Sequence, residues 1–247
     1  MRLDKFLSIT GTASRSESAK ASRRGEILVN GVAVRSTSVQ IDPEVDAVVY
    51  CGESVIYREF TYIMLNKPEG YVSATEDGRD KTVLELLPEK LQRLNLFPCG
   101  RLDKNTLGLM LLTDNGELAH KLLTPKNHVS KTYRFKCDSP LSQEDVNALE
   151  NGVEIRGGYV TKPAKLDYAP SEKEGSITIT EGKYHQIKLM AEAVHNQITY
   201  LERVTFGPIL LDETLERGEW RHLTDAEQEA LEARAAQGRT DKQHNEN

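Results

Sequence analysis

The sequence predicts an α+β protein with a mostly antiparallel sheet, and three observations predict it. Apolar triplets Ile27-Leu28-Val29 and Val32-Ala33-Val34 flank Asn30-Gly31, the signal for a two-residue hairpin. Beyond residue 60, strand-like apolar runs interleave with segments that open on helix caps, and no internal repeat organises them. The chain's 247 residues, 38% hydrophobic and 28% charged, suit one large domain or two.

In order, Leu3, Phe6 and Leu7 fall at i, i+3, i+4 and predict a short amphipathic helix. Ser14 with Glu17 has the capping-box form, and Gly25 closes the helix that follows. The hairpin comes next, then a strand from Val45 to Cys51. The polar stretch from Cys51 to Phe60 reads as a linker, and Thr61 to Tyr71 as a strand ending in a Pro/Gly turn. Leu107 to Leu112 is nearly continuous in apolar residues and reads as a buried strand. Asp114 or Asn115 caps a helix running to Pro125, and Ser142 with Asp145 caps another ending near Gly152. Ser176 to Thr180 alternates as a strand, Tyr184 to Val194 reads as a helix, and Tyr200 to Leu211 as strand, turn, strand. Thr224 and Glu227 cap a last helix, and residues 237–247 form a polar tail expected to be disordered.

Composition narrows the function. No apolar run reaches the roughly 18 residues of a membrane span, and the charged start Met1-Arg2-Leu3-Asp4-Lys5 is no signal peptide. Three scattered cysteines without C-x-x-C spacing predict neither a disulfide framework nor a zinc site, and so a reducing cytosol. The six histidines show no metal-ligand spacing. No G-x-S-x-G elbow marks a serine hydrolase, and Gly152, Gly157 and Gly158 make no phosphate loop.

Net charge is −6, which excludes coating nucleic acid by bulk charge, yet local clusters set the field a ligand meets. Residues 1–35 carry seven Lys/Arg against three acids, including Arg2, Lys5, Arg15 and a helix face of Lys20, Arg23 and Arg24. Residues 120–136 carry five Lys/Arg and no acid. Each cluster reads either as a phosphate grip or as a solvated surface.

Three segments carry candidate chemistry. In Gly100-Arg101-Leu102-Asp103-Lys104, a carboxylate sits between cations and against an apolar strand. A turn residue is one reading. The other is a shielded carboxylate held ionised by a cation, able to act as a nucleophile. In Lys131-Thr132-Tyr133-Arg134-Phe135, strand alternation sends Tyr133 and Phe135 to one face, either as core or to stack on an extruded base. In Glu181-Gly182-Lys183-Tyr184-His185-Gln186-Ile187-Lys188-Leu189, a polar junction can bring a cation and an apolar contact to one pocket, or it is a solvated helix start.

M-R-L-D-K-F-L followed by S-R-S-E-S-A-K-A-S-R-R-G-E-I-L-V-N-G resembles the αL-type RNA-binding domain named after a small-subunit ribosomal protein. L-N-K-P-E-G-Y, G-R-L-D-K-N-T-L-G-L-M-L-L-T-D-N-G, K-T-Y and E-G-K-Y-H-Q-I-K-L-M, in that order, resemble the motifs of the RsuA family of ribosomal RNA pseudouridine synthases. The likeness spans residues 1 to about 232. It implies an RNA-binding domain over 1–58 and a catalytic domain over 59–236, with a mixed, mostly antiparallel sheet flanked by helices.

The same resemblance implies catalytic roles for Asp103, Tyr133 and Lys188. Asp103 would act on the nucleotide, Tyr133 would pack on the base and Lys188, eighty-five residues away, would pair with the aspartate. Arg101, Leu189, Tyr184, His185 and Lys67 would bind substrate. Arg2, Lys5, Arg15, Lys20, Arg23, Arg24, Lys104 and Lys131 would meet RNA. No cofactor and no metal are implied, because the isomerisation gains and loses no atoms. The partner would be ribosomal RNA, 16S near uridine 516, free or in a ribonucleoprotein. The enzyme would be a bacterial cytoplasmic monomer with no membrane contact. A synthase for 23S RNA and a non-catalytic ribosome-assembly factor are the competing readings.

Overall fold

A computed structural model describes residues 1–170 and 172–237, so the predicted tail beyond Gln237 lies outside the described residues. The chain divides into two compact units. One holds Met1–Thr61 with Leu87–Leu96, and the other holds Tyr62–Leu86 with the residues from Phe97 on.

In the first unit, α1 (Leu3–Ile9) and α2 (Arg15–Arg24) precede β1 (Ile27–Val29), β2 (Val32–Ala33), β3 (Val48–Tyr50) and β4 (Glu53–Val55), in sheet order β2-β1-β3-β4. The Ser14/Glu17 capping box is formed, and Gly25 ends α2 in the left-handed region. Asn30 and Gly31 take φ of 52° and 79°, the turn that matches the twist of a hairpin. Leu3, Phe6, Leu7, Ala21, Ile27, Ile41 and Val48 form the core. The expected linker is corrected at its start. Cys51 and Gly52 both have positive φ and turn the chain back into β4, so pairing in the sheet overrides the polar composition of Glu53-Ser54-Val55. The strand expected from Val45 is shorter and begins at Val48. The short α3 (Glu89–Gln92) belongs to this unit, where Arg93 bridges Glu17 and Glu89 at 3.0 and 2.8 Å. That return of the chain departs from a single cut near residue 58.

The second unit contains β5 (Tyr62–Lys67), β6 (Phe97–Pro98), β7 (Leu107–Thr113), α4 (Gly116–Leu123), β8 (Lys131–Cys137), α5 (Gln143–Asn151) and a small hairpin, β9 (Glu154–Ile155) with β10 (Tyr159–Val160). It continues through β11 (Lys165–Asp167), β12 (Glu174–Ile179), α6 (Gln186–Ala193), β13 (Ile198–Phe206), β14 (Ile209–Leu210), β15 (Trp220–His222) and α7 (Asp225–Gln237). The sheet order is β11-β12-β8-β13-β7-β5-β15, with β14 on β13 and β6 on β7. The β7–β13 pairing is parallel and the others are antiparallel. Asn115 caps α4 and Ser142 caps α5, as expected. Helix α6 starts at Gln186, two residues later than expected, because His185 adopts a left-handed conformation (φ 51°).

Strands β5 and β7 are buried almost throughout, which explains the continuous apolar run. One sheet face is covered where Leu118, Ala119 and Leu122 of α4 and Leu231 and Ala235 of α7 join Met64, Leu109, Leu111 and Phe206. Each leucine, methionine or phenylalanine among these contributes about 1.5–3 kcal/mol on burial, and each alanine less. Gly108 is required where β7 meets β13. Its φ is 94°, and a Cβ there would lie 2.3 Å from the Arg203 carbonyl oxygen. This close approach anchors the strand that carries the loop before it.

Candidate active site

That loop, residues 99–106, is held from below. Lys67 is 0% exposed, and its Nζ donates to the carbonyls of Pro68, Lys104 and Thr106 at 3.0, 3.1 and 2.9 Å. Ser73 Oγ accepts from Leu102 N–H at 3.0 Å and donates to Leu102 C=O at 2.8 Å. Gly70 N–H bonds the Lys104 carbonyl, and Thr106 N–H bonds that of Asp103. Gly100 makes the turn at φ 88°. With Leu102 buried and the backbone bonded on both sides, the Asp103 side chain is presented from a rigid frame and is 26% exposed.

Asp103 opens into a cavity of about 720 Å³, lined also by Arg101, Lys131, Tyr133, Tyr184, His185 and Lys188. Lys188 Nζ lies 2.8 Å from Asp103 Oδ2, and His185 Nε2 lies 3.4 Å from Oδ1. The turn before α6 sets both. Buried Gln186 donates to Glu181 Oε1 at 2.8 Å and accepts from Lys183 N–H at 2.9 Å. This pins the junction and places His185 and Lys188, one helical turn apart, beside the carboxylate. The Tyr184 ring stacks on His185 at 3.8 Å between centroids and is 71% exposed at the cavity wall. Tyr133 points inward from β8, with Arg203 of β13 as its cross-strand partner.

Several expected site residues stand elsewhere. Lys67 is not in the cavity lining, because its three donors are engaged by carbonyls. Burial lowers its pKa to about 8, opposed by the nearby Asp103 charge. Leu189 is also outside the lining. It lies one residue beyond Lys188 on α6, and Ile187, Leu102, Ile179 and Leu201 make the apolar wall. Lys104 pairs with Asp80 at 2.5 Å on the surface. Lys131 is half-buried in the cavity wall rather than on an outer face, and burial, then the Arg203 charge, lowers its pKa to about 8.

Lys5, Arg15, Lys20 and Arg23 are exposed, whereas Arg2 pairs with Asp4 and Arg24 with Glu26. The acid-free stretch 120–136 is not acid-free in space. Lys121 meets Glu117, Arg134 meets Glu213 and Lys136 meets Glu174. Sequence reading missed Ser73, for which no local signal exists. It also missed Arg203, marked only as a cation inside an otherwise buried strand.

Among the described residues no group of His, Cys, Asp or Glu is arranged to hold a metal, and no helix is long and apolar enough to cross a membrane. A carboxylate facing an ammonium and an imidazole, beside an inward tyrosine in a partly closed cavity, is suited to covalent or proton-transfer chemistry on a bound ring.

Residues 61–193 match the family of RNA pseudouridylate synthases, and residues 1–46 match the S4 domain. The chain is 47% identical to the RNA pseudouridine synthase YtzG of Bacillus subtilis (strain 168), over 92% of this chain and 96% of that protein. It is 40% identical to ribosomal small subunit pseudouridine synthase A of Haemophilus influenzae, over 94% of this chain and 99% of that one. A crystal structure of a pseudouridylate synthase superposes with a TM-score of 0.66 at 39% identity, over 94% of this chain and 99% of its own. With family motifs and whole-length relatives in agreement, the chain belongs to the RNA pseudouridylate synthases, in the RsuA branch that carries an N-terminal S4 domain.

Proposed function

We propose that this enzyme isomerises a uridine of small-subunit ribosomal RNA, the one near position 516 of 16S RNA, with Asp103 as the reacting group. The observation that carries the reading is the Asp103 carboxylate held at 2.8 Å from Lys188 in the same cavity as Tyr133. The small-subunit target is supported by the relatives named for that activity, 40% identical over nearly full length.

The reaction breaks the bond between N1 of the base and C1′ of the sugar and forms one between C5 and C1′. The C5 proton leaves and N1 gains one, so the atoms balance without a co-reactant. Asp103 starts it either by adding to C1′ as N1 departs or by removing a sugar proton to give a glycal. Lys188 fixes the carboxylate and supports its charge in a site with restricted water. Tyr133 and the aliphatic wall hold the base while it turns. Unstacking the uridine costs a few kcal/mol, which aromatic contacts in the cavity and phosphate contacts from Lys5, Arg15, Lys20 and Arg23 offset.

The test is Asp103→Asn, read by tritium release from 5-tritiated RNA and by carbodiimide mapping of ribosomal RNA with and without the gene. Loss of the pseudouridine with folding and RNA binding intact is expected. Turnover by Asp103→Asn would refute the assignment.

A further inference from the structure

The cavity holds two cations that the reaction above does not use. Arg203 is 1% exposed. Its Nε donates to the Leu109 carbonyl at 2.8 Å, and its Nη2 is buried without a partner. Lys131 Nζ donates to the Val129 carbonyl at 2.8 Å. Across the β8–β13 ladder, Lys131 is opposite Phe206 and Arg203 is opposite Tyr133, so both cations lie on the face of the sheet that Tyr133 presents to the cavity. They share one ring. Lys131 Nζ lies 5.5 Å and Arg203 Cζ lies 5.2 Å from the Phe206 centroid.

Neither is in an ion pair among the described residues. The carboxylates that line the cavity are already engaged. Asp103 faces Lys188 and His185, and Glu181 accepts from Tyr159 Oη, Gln186 Nε2 and Lys162 N–H. A desolvated cation without a counter-charge is costly, and contact with an aromatic face recovers only part of that cost. Two such cations beside one another, walled by Pro98, Leu123 and Pro125, make an unneutralised positive floor. The ligand that satisfies it is an anion with several acceptor oxygens.

We infer that Lys131 and Arg203 form a phosphate subsite, which takes a phosphodiester flanking the extruded uridine. Lys131 makes the contact, and Arg203 supplies a fixed field behind it and turns Nη2 to an oxygen when the anion enters. The inference rests on the reading of this cavity as the uridine site. It assigns a role to two residues that the isomerisation leaves idle. A single flanking phosphate neutralised there would place the sugar over Asp103 by charge as well as by shape.

The experiment measures equilibrium binding in the Asp103→Asn background, so that turnover plays no part. A 16S RNA fragment with the target uridine is compared with versions carrying one neutral methylphosphonate, 5′ or 3′ of it. Neutralising one of the two linkages is expected to weaken binding about tenfold, as loss of one buried charge-assisted contact does. Lys131→Met is expected to bind about tenfold more weakly and to show no further loss with that neutral RNA, whereas Lys131→Arg restores the discrimination. Equal binding of all three RNAs, or effects of variant and methylphosphonate that simply multiply, would overturn the subsite. Inorganic phosphate at matched ionic strength forms the second arm. Displacement by phosphate without any methylphosphonate effect would give the site to free phosphate and overturn the RNA assignment. Failure of Asp103→Asn to abolish turnover would count against the function, while this binding cycle would still report on the subsite.

Discussion

Lys188 Nζ and Asp103 Oδ2 stand 2.8 Å apart across eighty-five residues of chain. Both side chains are about three-quarters buried, so each is the other's main source of charge compensation in a site with little water. The pair joins the loop ahead of β7 to the first turns of α6.

Removing the ammonium tests that coupling. Lys188→Met is expected to lower the single-turnover rate on the order of 10²–10³-fold, the range for loss of one fixed electrostatic group. Lys188→Arg should retain part of the rate, because it keeps the charge but changes the geometry. Rapid-quench assays on tritiated RNA check this, and a Lys188→Met rate within twofold of the parent would contradict it.

Lys67 acts through the loop. Lys67→Met takes a donor from three carbonyls, of which that of Thr106 is buried and that of Lys104 keeps its bond from Gly70 N–H. It should destabilise the protein by about 1–3 kcal/mol, the cost of one orphaned buried group. Urea unfolding measures this. Because the loop that positions Asp103 loosens, kcat should fall more than KM rises.

Gly108→Ala should be among the most destabilising single-methyl changes in the protein. The new Cβ meets a backbone oxygen at 2.3 Å and the φ is 94°, so strands β7 and β13 must separate. A loss of at least about 2 kcal/mol is expected. An unfolding midpoint equal to the parent's would show that the strands can part freely.

The pH dependence of stability follows from Lys131, whose folded pKa of about 8 lies below the ordinary lysine value because of burial. Between pH 8 and about 10.4 the unfolded chain binds more protons than the folded one, so this group makes stability rise with pH across that window. Below pH 8 the cost of burying the charge is fully present. Lys131→Met lacks that cost. Its advantage in urea unfolding should therefore be largest near pH 7 and shrink by pH 9.5. Lys67, also lowered to about 8, titrates in both proteins and drops out of the difference.

On the N-terminal unit, Lys20 and Arg23 are exposed, whereas Arg24 is engaged by Glu26 at 2.8 Å. Reversing Lys20 and Arg23 to Glu should weaken RNA binding and flatten the log–log salt dependence by about 1.5, roughly 0.7–0.9 per phosphate contact. Arg24→Ala should change the slope less than Arg23→Ala. Filter binding between 50 and 200 mM salt distinguishes them.

The elements legible in the sequence were those specified by neighbours within one turn or one strand. Ser14 and Glu17, Asn115, Ser142 and Thr224 each satisfy a helix start through bonds three residues long. Asn30-Gly31 needs only its own two φ angles. The run from Leu107 to Leu112 announces burial on both faces by composition alone. Where a local pattern was weak and sheet pairing strong, the reading failed. Glu53-Ser54-Val55 is polar yet becomes β4 because β3 offers a free edge.

For the site, the motifs already contained Asp103, Tyr133 and Lys188, and strand alternation gave the face of Tyr133. Which cation meets the carboxylate was not a local matter. Arg101 and Lys104 flank Asp103 in the chain, but Lys104 pairs with Asp80, while α6 delivers Lys188 directly to the carboxylate. Lys67 and Lys131 stood in the family-like motifs and Arg203 inside a predicted strand, but nothing local showed how deeply each is buried. Only the packed sheet withdraws them from water, Lys67 and Arg203 fully and Lys131 in part, and this turns the first into a clamp on three carbonyls and leaves the other two in the cavity wall. Order along the chain chooses the chemical groups and the elements that carry them. Their distances, and the loss of water that sets the strength of their charges, come from contacts among residues dozens of positions apart.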